Sequence, residues 1–350
     1  MNLLKRMAFL LIALLAAYGG WVLFAPEKMV DIYEISDFSS APDGIVGFPS
    51  FNAYSSQDIA NGGATTTRQS SGGFLVLPTN ASKDNPVPAV IILHGSGGDW
   101  GGHGVAMANY LAKKGIAALA VDTFAARNLR KTDNYFLRIQ KAPIYTQIVD
   151  AYKALEALNQ HPFIQHDKIA VTGFSFGGAS TLYTMFEQVA EGIVGKKGPR
   201  FSAFASFYAG CSFDFDDFRT GGKPVLLMMG GKDESMSIPH CEEFRDKLIA
   251  HNTPAQLIVY PDAGHGWDQP HPMRFFPDAA MTKDCLLVWD KNGSNKEMNT
   301  GWVVDTTFGA MMAFTQCTKT TGYTIGLEPN AKAKSWQDFY TFLQKTWGLP

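Results

Sequence analysis

The stretch that decides the fold reads Lys168-Ile-Ala-Val-Thr-Gly-Phe-Ser-Phe-Gly-Gly178. Its apolar first half predicts a strand, and the proline-free residues 179–189 beyond it predict a helix. Between them stands a G-x-S-x-G pattern with Gly173 and Gly177 where a Cβ would obstruct a sharp turn. Such a turn presents its serine, here Ser175, at the end of a strand and the start of a helix. The pattern alone could arise by chance among 34 glycines, so the predicted strand and helix make it informative.

Composition limits the class of protein. The chain has 350 residues, 46% of them hydrophobic, which is enough for the core of one large α/β domain or two smaller ones. The formal net charge is only −2, so the chain as a whole is not basic. A protein that binds nucleic acid usually has a strongly basic surface, and no nucleic-acid partner is therefore expected.

The N-terminus predicts export. Lys5 and Arg6 precede an uninterrupted apolar run over residues 7–24, which is the layout of a secretion signal. Residues 17–19 fit a cleavage site, whereas the length of the run fits an uncleaved span. Residues 1–25 are therefore a signal peptide or a membrane anchor, and the body is periplasmic or extracellular. An anchor would attach it to the inner membrane through residues 7–24, and a buried helix of a cytosolic protein is the competing interpretation.

Four cysteines are consistent with an oxidising compartment. An even number in an exported chain predicts disulfide bonds, and four cysteines allow three pairings among which their spacing does not choose. The alternative is that all four are small buried hydrophobic residues. The four are Cys211, Cys241, Cys285 and Cys317.

Strands and helices alternate along most of the chain. Residues 26–72 are interpreted as an irregular N-terminal extension and residues 73–350 as the main domain. Strands are predicted at residues 88–93, 116–121, 201–208 and 224–229, and the apolar runs of the first two indicate buried strands. Their alternation with helical patterns predicts an α/β fold with a mostly parallel sheet and helices on both faces. Residues 268–328 interrupt this pattern and predict an irregular insertion before the last helix.

Two later loops carry the groups that a serine nucleophile requires. A serine hydroxyl needs a base to take its proton, and that base needs a carboxylate to orient it. Asp233 follows one predicted strand and His265 follows the next, so both should lie near Ser175 at the carboxyl edge of the sheet. The order Ser, Asp, His is that of an α/β-hydrolase. Glu234 competes with Asp233 as the acid.

A glycine-rich turn, His94-Gly-Ser-Gly-Gly98, follows another predicted strand. A tetrahedral intermediate develops a negative oxygen that needs two backbone N–H donors. Phe176, directly after the serine, is expected to supply one donor, and Ser96, or its neighbour Gly95, the other. A phosphate-binding loop is the weaker interpretation because no Lys-Ser/Thr pair follows. His94 itself is expected to be a structural hydrogen-bonding residue.

These motifs, with Asp122-Thr-Phe-Ala-Ala-Arg127 and Tyr260-Pro-Asp-Ala-Gly-His-Gly-Trp267, resemble those of the dienelactone hydrolase family of α/β-hydrolases. The resemblance covers about residues 73–265 and the last helix. It implies the α/β-hydrolase fold, a Ser/Cys–Asp–His triad and the hydrolysis of ester or lactone bonds. It also implies Arg127 as a substrate-binding residue. His94 and Trp267, which lie within the motifs, are further substrate-binding candidates. Exported members of the family suggest pairing Cys211 with Cys241, which leaves Cys285 with Cys317.

Two departures from the family pattern favour a general serine esterase. The namesake enzymes use a cysteine nucleophile where this chain has Ser175, and they carry an acidic residue where it has His94. The sequence therefore predicts a hydrolase that acts on a small-molecule ester or lactone through an acyl-enzyme, with no metal or organic cofactor. One alternative is a serine peptidase of the same fold, although such enzymes usually carry an added domain. The other is a catalytically silent binding protein.

Overall fold

The computed structural model describes residues 33–41, 43–99, 102–277 and 279–350. The predicted signal peptide or anchor, residues 1–25, lies outside them. Within the described ranges, no helix is both long and apolar enough to cross a membrane. The strands are β1 (Gly44–Phe51), β2 (Arg68–Val76), β3 (Val87–Leu93), β4 (Ala117–Val121), β5 (Ile164–Phe174), β6 (Ala203–Phe207), β7 (Phe213–Phe215), β8 (Val225–Gly230), β9 (Ala255–Tyr260), β10 (Arg274–Phe276), β11 (Leu287–Trp289), β12 (Asn295–Glu297) and β13 (Tyr323–Ile325). The helices are α1 (Ser56–Ala60), α2 (His103–Ala112), α3 (Tyr135–Lys141), α4 (Ile144–Leu158), α5 (Phe176–Tyr183), α6 (Glu187–Val194), α7 (Ile238–Ala250), α8 (Thr307–Cys317) and α9 (Pro329–Trp347).

Eight strands form the central sheet in the order β1-β2-β4-β3-β5-β6-β8-β9. The strands β4, β3, β5, β6, β8 and β9 run parallel to one another. At the β4 edge, β2 pairs with β4 and β1 pairs with β2, both in antiparallel orientation. The carboxyl ends of β3, β5, β8 and β9 therefore meet at one edge, where the loops with the motifs lie. This is the predicted α/β-hydrolase fold.

Helices cover both faces of the sheet. On one face, Ile148, Tyr152 and Leu155 of α4 pack against the core that also includes Ile91 and Leu93 of β3. On the other face, α2 and α9 pack against alternate residues of the same strands. Every residue of β3 is buried, because its two sets of side chains enter two different apolar layers.

The boundary of the main domain lies earlier than the predicted residue 73. The described part of the extension includes β1, α1 and the first half of β2, and β1 pairs with β2 along its whole length. Residues of β1 such as Val46 and Phe48 belong to the same core as β3. For residues 44–72 the interpretation as irregular was wrong, because glycines and serines in β1 and β2 conceal the strand pattern.

The helix predicted after Ser175 is broken in two. It ends at Tyr183, and α6 begins at Glu187. Residues 184–186, between the two helices, include no Gly or Pro, so the interruption depends on contacts with neighbouring elements. Tyr152 donates its hydroxyl to the carbonyl of Thr184 (2.6 Å), and the N–H of Glu187 bonds to the carbonyl of Arg219 (2.8 Å). Tertiary partners thus satisfy backbone groups that a continuous helix would have paired internally.

The insertion over residues 268–328 contains short elements and one disulfide bond. It includes β10 to β13 and α8, and β11 pairs in parallel with β7, which follows the central strand β6. The two disulfides join Cys211 to Cys241 and Cys285 to Cys317, the pairing that the resemblance suggested. The second bond closes a loop within the insertion, and the first ties the end of β6 to α7.

Candidate active site

Ser175 lies at the sharp turn between β5 and α5. Its backbone has φ 53° and ψ −111°, a conformation that non-glycine residues rarely adopt. The glycines on either side permit the turn: a Cβ on Gly173 would lie 2.2 Å from the carbonyl oxygen of Gly177, and one on Gly177 would lie 2.3 Å from that of Leu93. The chain therefore passes close to β3 and presents the serine hydroxyl at the carboxyl edge of the sheet.

Ser175, His265 and Asp233 form one chain of hydrogen bonds. His265 follows β9 and lies with Nε2 2.9 Å from Oγ of Ser175, while its Nδ1 is 2.8 Å from Oδ2 of Asp233, which follows β8. The Nδ1–H of His265 donates a hydrogen bond to the carboxylate, so Nε2 is left as the acceptor for the serine hydroxyl. Glu234, the competing acid, is exposed to solvent, and it is Asp233 that contacts the histidine.

The Asp233 carboxylate is held in its ionised form. Burial by itself would raise its pKa, but the charge and hydrogen bond of His265, with hydrogen bonds from Ser235, keep the pKa below its ordinary value. An ionised carboxylate in this position can stabilise the positive imidazole that forms when His265 takes a proton. The arrangement is thus suited to proton transfer from Ser175.

Ser235 is a residue of the site that the sequence analysis missed. Its N–H and its hydroxyl both donate to Oδ1 of Asp233, at 2.9 and 2.6 Å, and its Oγ lies 3.1 Å from Nδ1 of His265. The Asp-x-Ser spacing, typical of a turn in which an Asp side chain bonds the backbone two residues on, is the signal that could have revealed it. Ser235 holds one carboxylate oxygen while His265 uses the other.

The turn after β3 lies beside the serine. A Cβ on Gly95 would lie only 3.8 Å from Cβ of Ser175, and the N–H of Gly98 closes the turn on the carbonyl of Gly95 (2.9 Å). Ser96 lies within this turn. Phe176 is the first residue of α5, so its N–H has no acceptor within the helix. The predicted oxyanion donors therefore belong to backbone segments that flank Ser175.

Comparison with known proteins identifies the family. The sequence profile of the dienelactone hydrolase family matches residues 72–286, more than half of the chain. The chain belongs to the dienelactone hydrolase family. Among solved structures, a dienelactone hydrolase-like promiscuous phosphotriesterase, P91, from metagenomic libraries aligns with a TM-score of 0.52 and 18% identity, covering 87% of this chain and 99% of its own. At this identity the likeness supports the fold alone.

The sequence relatives align with this chain over only part of their length. A Yersinia pestis protein described as a carboxymethylenebutenolidase is 27% identical over 179 residues, which are 49% of this chain and 65% of that protein. Dipeptidyl aminopeptidase BIII of Pseudoxanthomonas mexicana is 25% identical over an alignment 244 positions long, which covers 58% of this chain and 34% of that enzyme. The chain thus spans less than two thirds of the length of these relatives.

Arg127 is not available to bind substrate in this family member. Its guanidinium donates to both carboxylate oxygens of Asp150, at 2.8 and 3.0 Å, and to Oδ1 of Asn52 at 2.7 Å. The side chains of Arg127 and Asp150 are 2% and 0% exposed. The prediction of a substrate-binding role was wrong, because the 3-10 turn at Ala125–Arg127 directs the side chain into the interior, where α4 supplies its partner.

The two other substrate-binding candidates are also buried. The side chain of His94 is held by a hydrogen bond from Nδ1 to the carbonyl oxygen of Gly95 (2.8 Å), and its ring packs against Phe124. Trp267 is fully buried and donates from Nε1 to Oγ of Ser335 (2.9 Å). His94 thus has the structural role expected of it, whereas the substrate-binding suggestion is corrected for both residues because neither side chain is at the surface of the site.

A buried carboxylate, Asp268, holds the tyrosine that packs against His265. Asp268 accepts hydrogen bonds from the hydroxyl of Tyr208 (2.6 Å) and from Nε1 of Trp336 (2.9 Å), and Nε2 of His103 lies 3.1 Å away. Burial opposes its charge, but His103 and these donors keep the pKa of Asp268 below its ordinary value. The Tyr208 ring packs edge-on against His265, with centroids 5.0 Å apart. Among the described residues, no cluster of His, Cys, Asp or Glu could hold a metal ion.

Proposed function

We propose that this protein is a serine hydrolase that cleaves carboxylic esters or lactones through an acyl-enzyme on Ser175. The observation that carries the proposal is the unbroken hydrogen-bonded chain from Ser175 through His265 to Asp233. Membership of a hydrolase family supports the same reaction class. The two disulfide bonds favour an exported protein, and the basic-then-apolar N-terminal sequence favours a periplasmic or extracellular location.

The reaction follows from the geometry. Nε2 of His265 takes the hydroxyl proton while Oγ of Ser175 attacks the ester carbonyl, and the carbonyl oxygen becomes negative. The N–H groups of Phe176 and Ser96, or Gly95, stabilise that oxygen. His265 then gives its proton to the departing alcohol, which leaves an ester on Ser175. A water molecule, deprotonated by His265, attacks this ester, releases the acid and restores the serine hydroxyl.

The substrate is proposed to be an ester or lactone without a carboxylate. Arg127 was the candidate cation for substrate binding, and Asp150 already neutralises it. Asp99 follows the glycine-rich turn after β3, and Asp122 directly follows the neighbouring strand β4. Negative groups on this side disfavour an anionic substrate. Neutral esters should therefore react faster than carboxylate-bearing lactones of similar size.

Labelling and turnover test the proposal together. The wild-type protein is expected to react covalently with a fluorophosphonate probe and to hydrolyse p-nitrophenyl esters. Ser175→Ala should abolish labelling and lower kcat by roughly 10⁶-fold, while Ser40→Ala, at an exposed serine, should change neither. An inert wild-type protein would instead indicate a catalytically silent binding protein.

A serine peptidase is the second candidate, because the sequence matches part of a dipeptidyl aminopeptidase. Peptidases and esterases share the acyl-enzyme mechanism, so the triad does not separate them. Assays with peptide p-nitroanilides beside the esters separate the two activities. A kcat/KM for anilides above that for esters would favour the peptidase, and we expect the opposite order.

A further inference from the structure

Tyr208 lies in a strained conformation between the nucleophile and the acid. Among the described residues other than glycine, positive φ angles occur at two asparagines, at Ser175 and at Tyr208, where φ is 41°. A tyrosine rarely adopts this left-handed conformation, which persists only where the surrounding structure imposes it. The N–H of Ser175 bonds to the carbonyl of Phe207 (2.9 Å), and the N–H of Tyr208 bonds to that of Met228 (2.8 Å). Tyr208 is therefore fixed directly after β6, with the serine strand β5 on one side and the acid strand β8 on the other.

The ring of Tyr208 packs against the proposed base, His265. The two rings meet edge-on, with centroids 5.0 Å apart and an interplanar angle of 66°. Trp267 packs edge-on against the same tyrosine, with centroids 4.7 Å apart, and the tyrosine is fully buried. A second ring, that of Tyr323 on β13, packs edge-on against His265 with centroids 5.3 Å apart. The imidazole thus contacts two aromatic rings in addition to its hydrogen-bond partners.

The hydroxyl of Tyr208 is anchored by Asp268, from the loop that carries His265. It donates to Oδ1 of this buried carboxylate at 2.6 Å, while Nε1 of Trp336 donates to Oδ2 at 2.9 Å. Burial and the neighbouring carboxylate raise the pKa of Tyr208, which keeps its proton in place for this bond. Because Asp268 is three residues after His265, the loop, the carboxylate and the tyrosine form a closed set of contacts that returns to the imidazole.

We propose that Tyr208 is a positioning residue that keeps the His265 imidazole in its catalytic orientation once Ser175 carries an acyl group. Asp268 acts with it by fixing the tyrosine ring. The proposal rests on the proposed hydrolase function. In the free protein both ring nitrogens have partners, since Nδ1 donates to Asp233 and Nε2 accepts from the serine hydroxyl. An acylated serine has no hydroxyl proton, so only the bond at Nδ1 remains.

An imidazole with one hydrogen bond needs another restraint. The torsion about the Cβ–Cγ bond of histidine is soft, so a ring bonded only at Nδ1 can rotate. The anchored ring of Tyr208 limits this rotation by packing against His265. The water that attacks the acyl-enzyme must meet Nε2, because Nε2 takes its proton. Loss of the bond that anchors Tyr208 should therefore slow deacylation more than acylation.

The test uses Tyr208→Phe, which keeps the ring and removes the hydroxyl. Mass spectrometry of acid-quenched reactions at saturating p-nitrophenyl ester gives the acylated fraction of the protein, and this fraction with kcat yields both rate constants. We expect the deacylation rate constant to fall about five-fold, the effect of one net hydrogen bond, and the acylation rate constant to stay within about two-fold. Tyr152→Phe is the matched control: it removes a buried tyrosine hydroxyl that also donates at 2.6 Å, to the carbonyl of Thr184, and should change neither constant.

Coupling to Asp268 separates positioning from general packing. Asp268→Asn offers a neutral and weaker acceptor, so it should also slow deacylation, and Tyr208→Phe should add little in that background. If either variant fails to fold, the other decides by the same two rate constants. Equal slowing of both steps, slower acylation alone, wild-type constants, or fully additive effects of the two substitutions would overturn the proposal.

NMR makes the outcome independent of turnover. Ser175→Ala removes the partner of Nε2 as acylation does, and the Nδ1 proton of His265 is assigned there by its loss on adding His265→Gln. A ring that rotates exchanges this proton with water faster, so adding Tyr208→Phe should broaden its line, whereas adding Tyr152→Phe should not. An unchanged line, or one already broad in Ser175→Ala, refutes the positioning role. Failure of the hydrolase proposal is read separately, from the fluorophosphonate labelling of the wild-type protein.

Discussion

Replacing Arg127 with Met should lower the free energy of unfolding of this protein without weakening substrate binding. The ion pair with Asp150 is enclosed: the two side chains are 2% and 0% exposed, with hydrogen bonds of 2.8 and 3.0 Å between them. Removing the guanidinium leaves the Asp150 charge buried without its cation, while the hydroxyl of Ser50 still donates to it at 2.6 Å. Breaking a buried pair on one side costs about 3 to 5 kcal/mol.

That free energy can be measured as a change in melting temperature. In a domain of this size, 1 kcal/mol corresponds to about 2 °C, so Arg127→Met should lower Tm by roughly 6 to 10 °C. The double variant Arg127→Met/Asp150→Leu should recover at least half of the loss, because it removes the unpaired charge as well. Arg130→Met, at an exposed arginine of the same segment, is the control and should change Tm little.

Kinetics on the same variants separate a structural arginine from a substrate-binding one. Assayed with p-nitrophenyl esters and a carboxylate-bearing lactone well below the lowered Tm, Arg127→Met should keep a KM within about two-fold of wild type for both, since no substrate contact is lost. A normal Tm combined with a raised KM for the lactone alone would refute the reasoning. It would mean that Arg127 leaves Asp150 to bind the substrate.

Three other substitutions test separate parts of the structure. Asp268→Asn should destabilise the protein at neutral pH in guanidinium unfolding: the folded pKa of Asp268 lies below its unfolded value of about 3.9, so its contribution is present above that pH and is lost as the pH falls through the folded pKa. The difference from wild type should therefore shrink towards pH 3, and a difference that grows there would contradict the assignment. Replacing Cys285 and Cys317 with Ala opens a loop of 32 residues and should cost about 3 to 4 kcal/mol, seen as a lower denaturation midpoint; an unchanged midpoint would show that other contacts already restrain the insertion. Gly177→Ala should give inactive or insoluble protein, because its Cβ would lie 2.3 Å from the carbonyl oxygen of Leu93, and retention of full fluorophosphonate labelling would show that the turn can relax.

The triad could be predicted because its members occupy equivalent places in a repeating pattern. Ser175, Asp233 and His265 each follow an apolar run, and parallel strands bring their carboxyl ends to one edge. No side-chain geometry was needed for that step. The insertion could not be folded in this way, since its strands have three residues each and carry no clear periodicity.

Contacts between distant segments account for the residues that were missed or misassigned. The sequence shows an arginine after Asp122, but only the packed structure shows that α4 places Asp150 beside it. It likewise shows no Gly or Pro after Tyr183, yet Tyr152 and Arg219 hold the helix open there. Such partners are separated from one another by tens of residues, and no local pattern encodes their meeting.

The sequence by itself determined the candidate catalytic groups and the edge of the sheet where they meet, because strand periodicity and small residues around Ser175 are local properties. Only the tertiary structure decided what supports those groups. Ser235 and the ring of Tyr323 both contact His265, because the loop after β8 and strand β13 pack against the same histidine. Arg127 leaves the site because burial requires a charge to have a partner, and its partner lies in the interior.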